Sequence, residues 1–203
     1  MKYFCILTGL HCEARFFIKM VYNISNMKYL TTIKDSDIFK IPEFKDHIEY
    51  QKRITVKAIV KNDAGKYAFV TNPIHNFILL AGGGAESEDL EKEINRECEE
   101  EIFYSIKNIK QLFAVKEFRN RNAKEYKTVC FYGEVDKKSE EDTRTDDEKS
   151  NDLKVIWLEK EEALNILKKQ FEKLKKEGVD FYNIAFNILR DYRFFKEYVE
   201  NKK

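Results

Sequence analysis

The alternation of hydrophobic and polar residues divides most of the chain into short strands. The segment "ITVKAIV" (Ile54–Val60) is rich in β-branched residues, which predicts a strand. "KYAFVT" (Lys66–Thr71) predicts its hairpin partner, because the intervening "KNDAG" contains residues that tolerate a left-handed backbone. "NFILLAGGG" predicts a buried strand that runs into a glycine loop. Further strands are predicted at Gln111–Phe118, Lys127–Val135 and Leu153–Lys160.

Three other segments have the spacing of amphipathic helices. From Ser87, a predicted N-cap, to about Ser105, apolar residues recur at every fourth position (Leu90, Ile94, Cys98, Ile102). Two more helices are predicted in "EEALNILKKQFEKLKKEG" and "DFYNIAFNILRDYRFFKEYVEN", whose apolar stripes either pack on the sheet or form a homodimer interface. Strands around a central helix, followed by terminal helices, predict an α/β (α+β) domain with a mixed sheet.

Composition narrows the classes of function. The 203 residues carry a net charge of +1, which predicts no strong nucleic-acid binding and no attraction to a membrane surface. No apolar run approaches the roughly 20 residues that a membrane span requires. The four cysteines include no CxxC pair, which argues against a zinc site. A sparse set of cysteines fits a reducing compartment, so a cytoplasmic location is predicted.

Two segments of the chain, residues 1–26 and 136–152, do not fit the predicted pattern of strands and helices. Residues 1–26 are interpreted as a loosely attached extension or a mis-assigned start, because Met27 opens a segment typical of a protein N-terminus. The predicted domain therefore covers residues 27–203, with the C-terminal helices from about 160. The acidic, apolar-free segment 136–152 is predicted to be a loop that is either functional or merely solvated.

Carboxylates crowd one edge of the central helix. With 100° per residue, Glu93, Glu97, Glu100 and Glu101 fall within an arc of roughly 100° beside the apolar stripe, and Glu99 points away. Crowded carboxylates raise one another's pKa unless a cation compensates, and Mg²⁺ prefers such oxygen ligands. A solvated glutamate-rich helix is the alternative interpretation.

The spacing of the polar residues resembles the Nudix box, G-x5-E-x7-R-E-U-x-E-E-x-G-U, in which U is aliphatic. The matching positions are Gly82, Glu88, Arg96, Glu97, Cys98, Glu100 and Glu101. Phe103 replaces the late glycine of the box and Tyr104 its last aliphatic residue. Because phenylalanine resists the left-handed conformation that glycine takes there, the helix is expected to run on or to end differently, toward Asn108.

The resemblance implies a Nudix-like α/β/α sandwich with a mixed sheet and extra C-terminal helices. Members of this family typically hydrolyse a nucleoside diphosphate linked to another group by attack of water on phosphorus, with Mg²⁺ or Mn²⁺ as cofactor. A small-molecule nucleotide or nucleoside diphosphate derivative is therefore the expected partner. The implied metal ligands are Glu97, Glu100 and Glu101, and the implied catalytic residues are Glu97, Glu100, Arg96 and Glu88.

The resemblance also assigns supporting roles. Glu97 is a candidate general base, and Arg96 and Glu88 are expected to form an ion pair that orients the glutamates. Gly82 and Gly83 are expected to bind the cofactor, and a backbone oxygen near Ala81–Gly82 to complete the coordination. No substrate marker of the family stands at its expected place after the box.

Two other functions stay open on sequence grounds. The first is a non-catalytic nucleotide-binding or regulatory protein of the same fold, although such proteins usually lose the box glutamates that this chain keeps. The second is a diphosphate isomerase, which needs additional histidine ligands, and the chain has only three, poorly placed histidines.

Overall fold

The computed structural model describes residues 28–40, 48–72, 77–139, 153–177 and 182–201. The predicted N-terminal extension, residues 1–26, lies outside the described residues, and so does the acidic segment from residue 140 to 152.

The described ranges contain seven strands and four α-helices. The strands are β1 (Tyr29–Lys34), β2 (Gln51–Lys61), β3 (Tyr67–Asn72), β4 (Phe77–Leu79), β5 (Tyr104–Arg119), β6 (Lys124–Lys138) and β7 (Lys154–Leu158). The helices are α1 (Asp35–Ile38), α2 (Leu90–Ile102), α3 (Lys160–Glu177) and α4 (Tyr182–Asn201).

All seven strands belong to one mixed sheet. Its order is β1-β5-β6-β2-β3-β4, and β7 pairs with β3. The β1–β5 and β2–β6 pairs are parallel, whereas β5–β6, β2–β3, β3–β4 and β3–β7 are antiparallel. The long β2 and β6 strands form the middle of the sheet, so both of their faces must be covered.

Each face of the sheet is covered by helices. Helix α2 places Ile94, Cys98 and Ile102 against inward residues of β2 and β6 such as Val56 and Phe131. The opposite face is covered by α3 and α4 through a larger, aromatic-rich cluster that includes Phe69, Phe113, Phe186, Phe194 and Phe195. This arrangement confirms the predicted α/β/α sandwich with a mixed sheet and extra C-terminal helices.

Several boundaries differ from the predictions. The central strands are longer than predicted, because β5 begins directly after α2 and β6 continues to Lys138, into the segment that was predicted to be loop. Strand β1 and the one-turn helix α1 were not predicted at all. None of the helices in the described ranges is long and apolar enough to cross a membrane.

Both ends of α2 also correct the prediction. The N-cap is Asp89, whose side chain accepts a hydrogen bond from the Lys92 N–H at 3.1 Å, whereas Ser87 lies before the helix. The helix ends at once at Phe103, which adopts the left-handed conformation (φ 62°, ψ 29°) that phenylalanine was expected to resist. The cost of that conformation, about 1–2 kcal/mol, is offset by contacts on both sides of the turn. The Asn95 side chain accepts from the Ile106 N–H at 2.8 Å, and the Phe103 carbonyl accepts from the Ser139 N–H at 2.8 Å.

Candidate active site

The glycine loop between β4 and α2 is fixed to the adjacent strand β2. The Ala58 N–H donates to the Ala81 carbonyl at 2.9 Å, and the Val56 N–H donates to the Gly83 carbonyl at 3.0 Å. The Ala85 N–H donates back to the Ile54 carbonyl at 3.1 Å. The loop therefore runs along β2 almost as an additional strand, which places its backbone beside the middle and the C-terminal half of α2.

Two glycines in this loop are required by their surroundings. Gly82 has φ of +126°, and a Cβ added there would collide with the Val56 carbonyl of β2. At Gly83 an added Cβ would lie 2.5 Å from Oε2 and 2.8 Å from Oε1 of Glu97. The absence of a side chain at Gly83 thus leaves the space that the Glu97 carboxylate occupies.

The expected edge of α2 carries the carboxylates, and Arg96 joins three of them. Its Nη2 donates to Glu97 Oε1 at 2.6 Å and to Glu93 Oε2 at 3.1 Å, and its Nη1 donates to Glu100 Oε2 at 2.6 Å. Glu93 and Glu97 are 4% and 6% exposed, so these ion pairs are poorly screened by water. Glu99 instead accepts from the Asn95 side chain at 2.8 Å, on the side of the helix that was predicted.

Burial and the neighbouring charges shift the pKa values of this cluster in opposite directions. Burial raises the pKa of Glu97, although the charges of Arg96 and Lys57 oppose the rise. The pKa of Glu93 is lowered, chiefly by a hydrogen bond from the Ser87 side chain. Burial alone would lower the pKa of Arg96, but its hydrogen bond to Glu100 and the charge of Glu97 raise it. Arg96 is therefore a permanent cation within the cluster.

The remaining carboxylate of the predicted metal set faces the glycine loop. Glu101 Oε2 accepts a hydrogen bond from the Gly82 N–H at 2.6 Å. The same loop is also bound from β2. The ammonium of Lys57 donates to the Leu80 carbonyl at 2.9 Å and, over a shorter distance, to the Gly82 carbonyl. Lys57 lies in β2 and is 8% exposed. Sequence reasoning missed it, because a single lysine in a β-branched strand carries no distinguishing signal.

The predicted ion pair between Arg96 and Glu88 is wrong. Glu88 is exposed in the loop before the helix, and the described ion-pair partners of Arg96 are Glu93, Glu97 and Glu100. Glu93 occupies the position expected for Glu88, because it lies one helical turn before Arg96 and on the same face. It also accepts from the Glu86 N–H at 3.3 Å, so it links the helix to the preceding loop. The helical spacing of Glu93 and Arg96 was the signal that could have identified this pair.

The carboxylates do not converge on one point in the described structure. Among the residues that it covers, no group of three or more His, Cys, Asp and Glu side chains is arranged to hold a metal ion. The charges nevertheless remain unbalanced. Four carboxylates (Glu93, Glu97, Glu100, Glu101) adjoin two cations, Arg96 and Lys57, which leaves a formal excess of two negative charges among these six residues. Oxygen donors with this excess are the type that a hard dication prefers.

A buried chain of charged residues supports the glycine loop from the α4 side. The Leu80 N–H donates to Asp191 Oδ2 at 3.0 Å, and Arg190 Nε donates to Asp191 Oδ1 at 2.9 Å. Arg190 Nη1 also reaches Glu117 of β5 at 3.3 Å, and Glu117 is bound in turn by Arg119. All four charged residues are at most 4% exposed. The C-terminal helix is thus connected to the backbone that precedes the glycine loop.

Comparisons with known proteins give a match to one family model and a similarity to a solved structure. A family model described as NUDIX domain matches residues 51–180, a range that contains the glycine loop and the whole of α2. One similar solved structure is a NUDIX hydrolase from Nitrosomonas europaea, with 18% sequence identity and a TM-score of 0.47 over 71% of this chain and 90% of that chain. No curated protein matches the sequence significantly. Since the family model spans more than half of the 203 residues and includes the described box, the chain belongs to the Nudix family.

Proposed function

We propose that the protein is a metal-dependent hydrolase that cleaves the diphosphate linkage of a nucleoside diphosphate joined to another group. The observation that carries this proposal is the edge of α2, where Glu97 and Glu100 are held by Arg96 directly beside the glycine loop. Family membership supports hydrolase chemistry. The nucleotide substrate and the metal dependence are our inference from the residues of the box.

The donor set fits a divalent cation, Mg²⁺ or Mn²⁺, by its chemistry. Glu97, Glu100 and Glu101 offer carboxylate oxygens only, and the cluster has the negative excess that a dication would neutralise. We propose these three residues as its ligands. When bound, such an ion would polarise phosphate oxygens and lower the pKa of the attacking water.

The other proposed roles belong to residues of α2 and of the glycine loop. Arg96 bonds to both Glu97 and Glu100, so it keeps the two carboxylates side by side at the edge of α2 before an ion binds. Glu97 is the best candidate for the general base, because burial raises its pKa and so brings it nearer to the range in which a base can take a proton from water. Gly83 provides the space for that carboxylate, and Gly82 fixes the loop.

The role of Glu88 is revised by its position. It is exposed and does not pair with Arg96, so we propose that Glu93 orients Arg96 in its place. A direct catalytic role of Glu88 stays a prediction.

The experiment that tests this function compares the wild type with Glu100→Gln on a panel of nucleoside diphosphate derivatives, with and without Mg²⁺. We expect product release that requires the metal, and a loss of about 100-fold or more in the variant, by analogy with the loss of other groups that support a metal site. Glu99→Gln is the matched control, because Glu99 adjoins Glu100 in the same helix but bonds to Asn95.

The outcome also separates the main alternative. Nucleotide binding without turnover in the wild type would indicate a non-catalytic binding or regulatory protein. Equal turnover by the wild type and Glu100→Gln would refute the role of this glutamate.

A further inference from the structure

Lys57 is a buried lysine whose ammonium lies against the backbone of the glycine loop. Its side chain leaves the middle of β2 and donates to the carbonyl oxygens of Leu80 and Gly82. The residue is 8% exposed, which is unusual for lysine. Such a position requires an explanation, because a buried ammonium is costly unless it is hydrogen-bonded and its charge is compensated.

The two carbonyls satisfy hydrogen bonds of the ammonium but bring no net charge. The compensating charge comes from α2, because the glycine loop that Lys57 holds lies against the carboxylate of Glu97, which fills the space beside Gly83. Glu101 accepts a hydrogen bond from the Gly82 N–H, so a second carboxylate contacts the residue whose carbonyl Lys57 holds. Lys57 is therefore a cation of the acidic cluster, although it forms no direct ion pair with it in the described residues.

The oxygens that surround Lys57 are of the kind that a hard metal ion also uses. Mg²⁺, Mn²⁺ and Ca²⁺ bind backbone carbonyls together with carboxylates. A backbone oxygen near Ala81–Gly82 was expected to complete a metal site, and in this chain one of these oxygens, the Gly82 carbonyl, already accepts a hydrogen bond from the Lys57 ammonium.

We propose that Lys57 is a built-in counter-cation that takes the place of a metal ion on the Gly82 carbonyl. This inference rests on the proposed function, because it concerns the same acidic cluster. A divalent ion that binds Glu97, Glu100 and Glu101 then does so without the Gly82 oxygen and beside a fixed positive charge. The consequence is a lower affinity for the metal ion. Without metal, the lysine offsets part of the repulsion between the carboxylates.

A purely structural role makes the opposite prediction. If Lys57 only fixes the glycine loop, its loss disorders the loop, misplaces the carboxylates and weakens metal binding. If Lys57 is a counter-cation, its loss frees a carbonyl ligand and removes a repulsive charge, so metal binding becomes tighter. The sign of the change in affinity therefore distinguishes the two roles.

The test is a titration of the full-length protein with Mn²⁺ alone, in which free Mn²⁺ is measured by its electron paramagnetic resonance signal. We expect Lys57→Met to bind Mn²⁺ about tenfold more tightly than the wild type, since removal of one unit charge near a dication has at least this effect in a partly buried site. Lys61→Met is the matched control: Lys61 ends the same strand, but its charge acts on Glu134. Its affinity should equal that of the wild type.

A second variant protects the test against misfolding. Lys57→Gln keeps an N–H donor, one bond shorter than lysine, but removes the charge, and it should also bind Mn²⁺ more tightly, by at least threefold. Unchanged or weaker binding in the folded variants would overturn the inference. Failure of the proposed function gives a different pattern, because Glu100→Gln would then bind Mn²⁺ as well as the wild type whatever the Lys57 variants do.

Discussion

The strongest prediction concerns Gly83, where one added methyl group is expected to impair the active site and leave the fold intact. The Cβ of Gly83→Ala would lie 2.5 Å from Glu97 Oε2. Ordinary van der Waals contact begins at 3.4 Å, so the carboxylate must retreat by 0.9 Å. Gly83 has no positive φ, so alanine brings no backbone strain of its own.

The size of this shift determines which property changes. A carboxylate at the end of a flexible side chain moves at little cost, so we expect the free energy of unfolding to change by less than about 1 kcal/mol. A displacement of about 1 Å in a catalytic group can reduce the rate by about 100-fold. The same shift would lengthen the 2.6 Å hydrogen bond from Arg96, which holds Glu97 beside Glu100.

The neighbouring glycines provide controls of both kinds. A Cβ at Gly84 would meet nothing within 4 Å, so Gly84→Ala should resemble the wild type in activity and stability. At Gly82 the added Cβ meets the backbone of β2, and φ is +126°, so Gly82→Ala should destabilise the fold by about 1–3 kcal/mol.

The assay measures Mg²⁺-dependent hydrolysis of the best substrate of the panel together with urea unfolding for all three variants. We expect loss of activity without loss of stability at Gly83, neither at Gly84, and loss of stability at Gly82. The reasoning fails if Gly83→Ala turns over at the wild-type rate with wild-type dependence on Mg²⁺.

Three further substitutions test two glutamates at or near the site and one buried lysine elsewhere in the sheet. Glu93→Gln should reduce hydrolysis by about tenfold, because Arg96 loses the partner that fixes it one helical turn away. Glu88→Gln should have at most a twofold effect on hydrolysis. A larger loss in Glu88→Gln than in Glu93→Gln would reverse this assignment. Lys127 is 9% exposed, its ammonium has no hydrogen-bond partner among the described residues, and burial, with the charge of Lys116, lowers its pKa to about 8. The unfolded state therefore binds more protons between about pH 8 and the ordinary lysine pKa of 10.5, so wild-type stability gains from rising pH in that window. Lys127→Met should be more stable than the wild type at pH 7 by about 1 kcal/mol, with a smaller difference at pH 10, as measured by urea unfolding; an equal difference at both pH values would contradict the pKa argument.

The sequence was sufficient for features that depend on local periodicity. The four-residue repeat of Leu90, Ile94, Cys98 and Ile102 placed α2 against the sheet, and the same geometry correctly separated Glu97 from Glu99. Ends of elements depend on single contacts, which periodicity does not contain. The Asp89 cap and the left-handed Phe103 are fixed by the Lys92 N–H and by the Ser139 N–H, respectively.

Lys57 and Asp191 were not predicted from the sequence for the same physical reason. Lys57 contacts carbonyls 23 and 25 positions further along the chain, and Asp191 contacts the Leu80 N–H across 111 positions. Neither has a local pattern that marks its contact with the loop, because that contact is made to the backbone of a distant segment. The helical spacing of Glu93 and Arg96 predicts their pairing, but the resemblance to the box assigns this role to Glu88.

The buried ionic chain behind the glycine loop constrains how this protein can change over evolutionary time. Glu117, Arg119, Arg190 and Asp191 neutralise one another out of contact with water, so loss of any one leaves a charge stranded in the interior, at a cost of about 3–5 kcal/mol. Mutations at these positions should therefore be tolerated only as coordinated replacements. A variant without α4 would leave Glu117 and Arg119 of β5 without Arg190 and Asp191, so β5 would have to change at the same time. We therefore expect α4 and β5 to evolve together.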